Sequence, residues 1–408
     1  MNWLQGIRGN ARGCLIYEPM FILPYSLYTT YATVYMLRLG VTTTEIGVIA
    51  SIGLVLQMFS SAASGYLTDR MGRRRALLTF DLISWTGGTL LWMLSQNIWF
   101  FVAAAVVNSY QKIPNTAWYC LLVEDTVPED RAGVFTALQL ITVVGGLFTP
   151  LGGWFTARLT VVPATRLMYG LAFVSMTAMF LLRHRAVHET EIGLRKMRET
   201  RTARWGEVLR DHLSVIREIA SSKYVLAVFS VYILNNFQGS LVTTFLSVYL
   251  VSALHIPAAW IALFPAIASF VTLFLIYGVV PKLKPEHALR HVMLGFCLSL
   301  VGNMLLIFAP LHQIAFVAVT SVLTASGMVL ANPFLEALTA NSIRDDERAK
   351  FLSVLTVLIL LFTWPAGVIG GLTYSADPRA TFGLVAGTLI VGLCILALLR
   401  ARHMRPAG

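Results

Sequence analysis

Long apolar stretches recur along this chain of 408 residues, and they limit the folds available to it more than any other feature. Hydrophobic residues make up 57% of the chain and charged residues only 12%. A helix needs about 20 apolar residues to cross the hydrocarbon core of a bilayer. Twelve runs of that length have their centres near Tyr25, Leu54, Gly87, Val107, Val143, Phe173, Asn236, Phe270, Leu298, Ser326, Leu361 and Gly392. The sequence therefore predicts an all-α polytopic membrane protein with twelve transmembrane helices.

Basic residues are distributed unevenly among the loops between these runs. In membrane proteins, lysine and arginine accumulate in the cytoplasmic loops. If both termini are cytoplasmic, most of the 31 basic residues fall on the inner side of the membrane. Arg38, Arg158, Arg166 and Arg379 then lie outside, and Lys112 lies within a span. This separation requires an even number of spans, and it explains the net charge of +11 without a nucleic-acid partner.

A short charged turn separates the second and third runs and reads GYLTDRMGRRR over residues 65–75. Gly65 has no side chain, so a neighbouring helix can approach it closely. Gly72 can adopt a positive φ, which tight reversals between helices often need. Asp69 can pair with a nearby arginine, and the arginines after Gly72 hold the turn on the cytoplasmic side.

This turn resembles the signature loop between the second and third helices of the major facilitator superfamily. The matching residues are Gly65, Asp69, Arg70, Gly72, Arg73 and Arg74. The resemblance implies a secondary transporter built from two six-helix halves, with a small-molecule substrate site between them near the middle of the lipid bilayer. A second copy of the turn, at residues 278–284, keeps a glycine and basic residues but has no aspartate.

The chain also repeats internally. A shift of 217 residues places Glu129–Ala132 on Asp346–Ala349, and it places Asn115 on Asn332. A repeat over this distance agrees with two halves of similar size, each with six apolar runs.

A polar stretch from Arg183 to Ser222 divides the two copies and is expected to be a cytoplasmic loop. Part of it has the spacing of a helix that lies on the inner leaflet. The apolar positions of that helix are Trp205, Val208, Leu209, Leu213 and Ile216. We expect an N-terminal six-helix bundle at residues 1–183, a linker at 184–222 and a C-terminal six-helix bundle at 223–408.

Charged side chains inside the runs point to function, because a charge at the centre of a bilayer helix costs about 2.5 to 3.5 kcal/mol on insertion scales. Glu18 in the first run, Lys112 in the fourth and Glu336 in the tenth meet this condition, and Asp81 lies nearer the cytoplasm. Glu18 is a candidate for proton coupling, since a carboxylate away from water can gain and lose a proton between states. It could instead form a static ion pair with Lys112, or face water at the mouth of a cavity.

Lys112 has two interpretations of its own. It could supply a fixed positive charge to an anionic substrate, or it could pair with a carboxylate on a neighbouring helix. Glu336 lies close to the cytoplasmic end of its helix, which suits a gate or a helix end better than a substrate contact.

Uncharged polar residues inside the runs are candidate linings of a cavity. Tyr28 and Tyr31 share one face of the first helix with Pro24 and Tyr35, and tyrosine hydroxyls need partners in a dry environment. Amides in hydrocarbon form hydrogen bonds either across helices or to a substrate, and the sequence leaves both open. The amide candidates are Asn115, Asn235, Asn236, Gln238 and Asn332.

Acidic residues follow the fourth run on the side of the membrane where the charged turn lies. Glu124 and Asp125 end this run, and Arg131 comes shortly after them. Together with Asp69 and the arginines of the turn, they could form a latch that holds the cytoplasmic side closed. The family resemblance implies that such a network stabilises the outward-facing state.

The direction of transport is indicated only by residues 145–153, which read GGLFTPLGG. They are similar to the glycine-proline motif of drug/proton antiporters in the same superfamily. Thr149 occupies the position of a glycine in that motif, and the arginine that these antiporters carry in the fourth helix is missing. We expect a proton-coupled transporter with a lean toward efflux. The alternatives are an importer or uniporter of an anionic metabolite, a lipid flippase and a transporter-like receptor.

Nothing in the sequence favours an enzyme. The eight histidines lie in loops or at the ends of runs, and the four cysteines lie in or beside apolar runs without metal-type spacing. A phosphate-binding loop of the GxxxxGK[ST] type is absent. We therefore expect a monomer in a bacterial inner membrane, with protons as coupling ion, no cofactor, no metal and no nucleic-acid partner.

Overall fold

The computed structural model describes residues 7–199, 222–341 and 348–403. All regular secondary structure within these ranges is helical. The helices up to residue 199 are α1 (Gly9–Tyr17), α2 (Pro19–Thr29), α3 (Ala32–Arg38), α4 (Thr43–Met71), α5 (Arg73–Asp81), α6 (Gly88–Met93), α7 (Ile98–Asn108), α8 (Lys112–Val123), α9 (Pro128–Leu147), α10 (Thr149–Leu159), α11 (Val161–Ala186) and α12 (Glu191–Glu199). Those after it are α13 (Lys223–Val248), α14 (Leu263–Gly278), α15 (Ala288–Ile307), α16 (Ile314–Asn341), α17 (Arg348–Thr363), α18 (Pro365–Ala376) and α19 (Pro378–His403).

Nine helical segments within these described ranges are long and apolar enough to cross a membrane. They are Thr43–Met71, Gly133–Leu159, Val161–Ala186, Lys223–Ala253, Ala258–Lys282, Ala288–Ile307, Ile314–Thr339, Val354–Ala376 and Pro378–Ala401. Each contains the centre of one apolar run, so the prediction of an all-α polytopic membrane protein is confirmed. The other three runs, centred near Tyr25, Gly87 and Val107, are divided into shorter helices. Twelve spans are consistent with this structure and remain a prediction.

The three divided runs break beside polar residues. Glu18 lies between α1 and α2, where Pro19 has no backbone N–H to continue the hydrogen-bond ladder. Asp81 ends α5 and is followed directly by a π-helical turn, Leu82–Gly87. Lys112 begins α8 directly after a 3₁₀ turn. Irregular backbone at membrane depth is tolerated where protein or a cavity surrounds it, so these breaks indicate where a site can form.

The chain forms two compact units. The first comprises Met1–Thr42 and Ile49–Ala203, and the second comprises Thr43–Val48 and Arg204–Gly408. An apolar core in the first unit joins α1, α5, α8 and α9. Its buried side chains include Cys14, Leu15, Ala76, Leu77, Ala117, Leu121, Leu122, Val134 and Ile141. This core holds the broken first, third and fourth runs together, and it thereby positions the polar residues at their breaks.

The start of the predicted linker requires a correction. The sequence pattern assigns Arg183 to a cytoplasmic loop, but α11 continues to Ala186 and buries the Arg183 side chain. The sequence pattern of a basic residue at the end of an apolar run is the same whether its side chain is exposed to water or buried against a carboxylate. The helix α12 follows soon after, and the amphipathic positions from Trp205 to Ile216 lie outside the described residues.

Candidate functional site

Three charged side chains meet inside the first unit, and we call Glu18, Asp81 and Arg183 the acidic cluster. Arg183 Nη2 donates a hydrogen bond to Asp81 Oδ2, and the two side chains are only 5% and 7% exposed. They come from α11 and α5, 102 residues apart in sequence. Glu18, at the break between α1 and α2, is 7% exposed. One arginine therefore lies among two buried carboxylates.

The carboxylate of Glu18 is only partly satisfied. Its Oε2 is buried and has no hydrogen-bond partner among the described residues. It lies in a cavity of about 120 Å³, which we call the acidic cavity. The walls of this cavity are Glu18, Phe21, Leu77, Asp81, Trp85, Pro114, Asn115, Trp118, Phe180 and Arg183. Of the predicted site residues, Glu18 and Asn115 are thus brought together.

A second cavity in the same unit is lined mainly by aromatic rings, and we call it the aromatic cavity. Its volume is about 230 Å³. Its walls are Tyr25, Tyr28, Thr29, Ala32, Trp85, Gly88, Thr89, Trp92, Asn108, Gln111 and Tyr169. Tyr169 stacks on Tyr28 with ring centroids 4.3 Å apart and on Trp92 at 5.1 Å. Trp85 is a wall of both cavities.

Tyr28, Tyr31 and Tyr35 of the first run are buried, but their surroundings differ. Tyr28 lines the aromatic cavity, whereas Tyr31 is fully buried. The Tyr35 hydroxyl accepts hydrogen bonds from Ser95 Oγ at 2.8 Å and from Arg166 Nε at 3.2 Å. The polar partners that the sequence predicts for these hydroxyls are therefore confirmed for Tyr35, where they lie across helices.

Lys112 does not form the ion pair with Glu18 that the sequence leaves open. No carboxylate of the described residues lies within 4.0 Å of its ammonium group. Lys112 is also not a wall of the acidic or the aromatic cavity. The ion-pair alternative is wrong in this structure, because Arg183 from α11 is the basic group beside the carboxylates.

Three of the four predicted amides of the second unit bond to one another. Asn235 Nδ2 in α13 donates to Asn332 Oδ1 in α16 at 3.1 Å, and Gln238 Nε2 donates to Asn235 Oδ1 at 3.1 Å. Asn236 Nδ2 donates to the carbonyl of Tyr232 one turn earlier. Of the two interpretations, these contacts match hydrogen bonding within and across helices.

Two further features of the second unit bear on a site. Glu336 is exposed, and no basic group of the described residues lies within 4.0 Å of its carboxylate. A mainly apolar cavity of about 210 Å³ includes Gln238, Ser299 and Asn303 among its walls. Glu336, the charged candidate of this unit, therefore does not belong to a charge cluster among the described residues.

Arg73 is the centre of a charge cluster formed by Asp69, Arg73 and Glu124. We call it the cytoplasmic charge cluster, because the positive-inside pattern of the loops predicts that this side faces the cytoplasm. Arg73 Nη1 contacts Asp69 Oδ1 at 2.6 Å, and Arg73 Nη2 contacts Glu124 Oε1 at 3.1 Å. Thr190 also donates to Glu124. The arginine is almost completely buried, so these are charge-assisted hydrogen bonds away from water.

Glu189 contacts the charged turn, and the sequence analysis did not predict this contact. Its Oε1 accepts from the backbone N–H of Arg73 at 2.9 Å, and its Oε2 accepts from that of Arg74 at 3.0 Å. These N–H groups begin α5 and have no partner within the helix, and the positive end of the helix dipole favours a carboxylate there. Gly72 has φ +87°, which confirms the positive φ predicted for this turn. The contact was not predictable from a local pattern, because Glu189 and Arg73 are 116 residues apart in the sequence.

The remaining residues of the charged surface have local partners. Asp125 accepts from Asn10 Nδ2 at 2.6 Å, Arg70 donates to the Tyr66 hydroxyl at 2.9 Å, and Arg131 donates to a backbone carbonyl. Arg131 is therefore not part of a salt bridge among the described residues. A correction concerns the close helix approach expected at Gly65. A Cβ atom built there meets nothing of the described structure within 4 Å, because that face of α4 is open.

The fold is similar to solved structures of transporters. The nucleoside transporter NupG aligns with a TM-score of 0.72 at 12% identity, over 95% of this chain and 99% of that one. A POT family transporter in complex with 5-aminolevulinic acid aligns with a TM-score of 0.71 at 15% identity, over 96% and 95% of the two chains. At these identities the likeness concerns the fold alone.

Two bacterial relatives are similar in sequence. The tetracycline resistance protein, class C, of Escherichia coli is 22% identical over 376 residues, which is 89% of this chain and 88% of that protein. The probable metabolite transport protein CsbC of Bacillus subtilis is 28% identical over 158 residues. That match spans 36% of this chain but only 34% of the length of the Bacillus protein.

A sequence model of a protein family matches most of the chain. The model of the Major Facilitator Superfamily covers residues 20–354, which include the charged turn, every wall residue of the aromatic cavity and every wall residue of the acidic cavity except Glu18. The family and the similar structures are transporters rather than enzymes. The chain is therefore a multi-pass membrane protein that belongs to the Major Facilitator Superfamily of transporters.

Proposed function

We propose that this protein is a secondary active transporter that moves a small organic solute by alternating access and couples the movement to protons at Glu18. We place it as a monomer in a bacterial inner membrane with both termini in the cytoplasm. The bacterial relatives and the positive-inside pattern of the loops support this location. We keep the division into two six-helix bundles as part of the proposal, with the first bundle extended from residue 183 to the end of α11 at Ala186 and the second at residues 223–408.

The observation that carries the proposal is the unpartnered Oε2 of Glu18 in the acidic cavity. Arg183 is already bound to Asp81, so the charges of the cluster do not cancel when both carboxylates are ionised. An uncompensated charge away from water costs several kcal/mol. A proton on Glu18 removes that cost, and access of water to the cavity lets the proton leave. A group with these two states is what proton coupling requires.

We assign the cytoplasmic charge cluster to gating. A buried arginine between two carboxylates stabilises one arrangement of the helix ends strongly, because each alternative arrangement would leave a charge without its partner. The contact of Glu189 with the start of α5 ties the segment after α11 to the same turn. Breaking the cluster should therefore change the balance between transport states.

For direction, we favour efflux in exchange for protons. The glycine-rich segment is weak support, because its glycines have a packing role: a Cβ atom at Gly152 would lie 2.8 Å from the carbonyl oxygen of Leu27. The main support is similarity to the tetracycline resistance protein over 89% of the chain. Import or uniport of an anionic metabolite is the second candidate, and the Lys112 ammonium, which has no described carboxylate within 4.0 Å, favours it.

The proposal can be tested with the purified protein in liposomes that hold an imposed pH gradient. The solutes to test first are tetracycline, a nucleoside, 5-aminolevulinic acid and a one-ring organic cation, each in labelled form. We expect one of them to accumulate against its concentration gradient while protons move the opposite way. Glu18→Gln should abolish accumulation driven by the pH gradient but retain exchange of labelled for unlabelled solute at equal pH.

Glu191→Gln is the matched control, because this exposed carboxylate on α12 is outside both cavities. It should accumulate solute as the unmodified protein does. Accumulation that persists in Glu18→Gln would refute proton coupling at this residue. Solute and protons that move in the same direction would refute efflux by antiport and favour the importer.

A further inference from the structure

The aromatic cavity has the size of a site for a small ring compound. Drug-sized ligands occupy pockets of roughly 300–1,000 Å³, and this cavity measures about 230 Å³. Rings face it from several helices, namely Tyr25 and Tyr28 in α2, Trp92 in α6 and Tyr169 in α11. Flat aromatic walls on different sides select a planar solute, which can stack between them.

The charges and polar groups around this cavity favour a positive solute. None of its described wall residues is acidic or basic. The Gln111 amide nitrogen donates to Asn108 Oδ1 at 2.8 Å, which leaves the Gln111 carbonyl oxygen as an acceptor. Ring faces carry negative electrostatic potential and attract cations, tryptophan most strongly. An anion would find no positive group on these walls.

The acidic cavity adjoins the aromatic cavity through shared rings. Trp85 is a wall of both, and Phe21, a wall of the acidic cavity, contacts Trp85 edge to face at 4.9 Å. Phe21 also stacks on Tyr25 of the aromatic cavity at 5.7 Å. When Glu18 has lost its proton, the acidic cluster carries one net negative charge beside these rings. That charge is not shielded by water, since Glu18 is 7% exposed.

We propose that the aromatic cavity binds a planar organic cation of one or two rings, and that Glu18 provides the preference for positive charge through the wall at Trp85. This inference rests on the proposed function, because it names the class of solute that the transporter carries. Trp85 is the binding residue, and Glu18 acts on the solute through the field of its carboxylate. The guanidinium of Arg166 donates hydrogen bonds to the Tyr35 hydroxyl and the Ser95 carbonyl. Arg166 is not a wall of the cavity.

The test uses three ring compounds of nearly the same shape and different charge, measured by calorimetric titration of the full chain in lipid nanodiscs. They are 1-methylnicotinamide, which is a cation, nicotinamide, which is neutral, and nicotinate, which is an anion. We expect the cation to bind at least about 10-fold more tightly than the neutral ring. In Glu18→Gln, the advantage of the cation over the neutral ring should fall to about 2-fold or less.

Substitutions of tryptophan test the ring itself. Trp85→Leu should weaken binding of the cation about 10- to 30-fold, whereas Trp85→Phe should retain most of it because a ring face remains. Trp154→Leu is the matched control, since Trp154 is 55% exposed and is a wall of neither cavity, and it should bind as the unmodified protein does. Equal melting temperatures of Trp85→Leu and Trp85→Phe would show that lost binding is not lost folding.

Several results would overturn the inference: no binding of the three compounds, equal or tighter binding of nicotinamide or nicotinate, or unchanged binding in Trp85→Leu. The proposed function fails by a different measurement. If the cation binds as expected but Glu18→Gln still accumulates solute with the pH gradient, proton coupling is refuted and the solute class stands. If the cation shows no preference but Glu18→Gln loses gradient-driven accumulation, only the solute class is refuted.

Discussion

Removal of Arg183 should destabilise the first unit more than removal of any exposed basic residue. In Arg183→Met the apolar stem is kept and the guanidinium is lost, which leaves Asp81 buried at 7% side-chain exposure beside Glu18. Breaking a buried ion pair by removing one partner costs about 3–5 kcal/mol, since the remaining charge is uncompensated. Arg183→Met should therefore lower the free energy of unfolding by about that amount.

A second substitution removes the carboxylate of Asp81 that Arg183→Met leaves uncompensated. Asp81→Asn in the Arg183→Met background should recover about 2–3 kcal/mol, because two residues in direct contact show interaction energies of that order. Asp81→Asn alone should also destabilise, since it leaves the arginine buried without its carboxylate. A double-mutant cycle separates this interaction from the other contacts of the arginine, such as that of its guanidinium with the Phe180 ring.

The assay is equilibrium unfolding in mixed micelles with increasing denaturing detergent, followed by tryptophan fluorescence. Arg185→Met is the matched control, because Arg185 lies on the same helix, is exposed and has no carboxylate of the described residues within 4.0 Å. It should change the unfolding free energy by less than about 0.5 kcal/mol. The reasoning is refuted if Arg183→Met and Arg185→Met cost the same, or if Asp81→Asn brings no recovery.

Two further predictions concern the charged turn. Gly72→Ala should cost about 1–3 kcal/mol of stability, because its backbone has φ +87° and its Cβ would lie 2.6 Å from Glu189 Oε2. Gly65→Ala, where the Cβ meets nothing within 4 Å of the described structure, should be neutral or stabilising in the same detergent unfolding assay, and equal losses of stability in the two variants would contradict this reasoning. Asp69→Asn weakens the contact to Arg73 and should shift the population toward the inward-facing state, measured by cysteine labelling from each side of the membrane. Unchanged labelling on both sides would count against the gating role.

Local features of the fold were predictable from the sequence. The apolar runs indicate membrane helices because a bilayer requires a minimum apolar length, and this requirement depends on no other part of the chain. The positive φ of Gly72 follows in the same way, since a tight reversal at a glycine needs only the residues of the turn. The breaks beside Glu18, Asp81 and Lys112 were not predicted as a group, although Pro19 signals the first of them.

The candidate site was predictable only in part. Glu18 and Asn115 were identified because a polar residue in an apolar run is conspicuous wherever it lies. Lys112 was identified by the same signal, but the ion pair with Glu18, one of the alternatives that the sequence left open, does not form among the described residues. The burial of Arg183 was not predicted, because it lies at the end of its run, where basic residues are common.

What the sequence by itself determined is the class of protein: its helices, its membrane location, its family and the charges that need an explanation. The tertiary structure decided which groups meet. The pairing of Arg183 with Asp81 and the contact of Glu189 with the start of α5 join residues more than 100 positions apart. The rings of the aromatic cavity come from separate helices. Such contacts depend on how each helix is rotated against its neighbours, and the packing of many side chains sets that rotation, which no local spacing encodes.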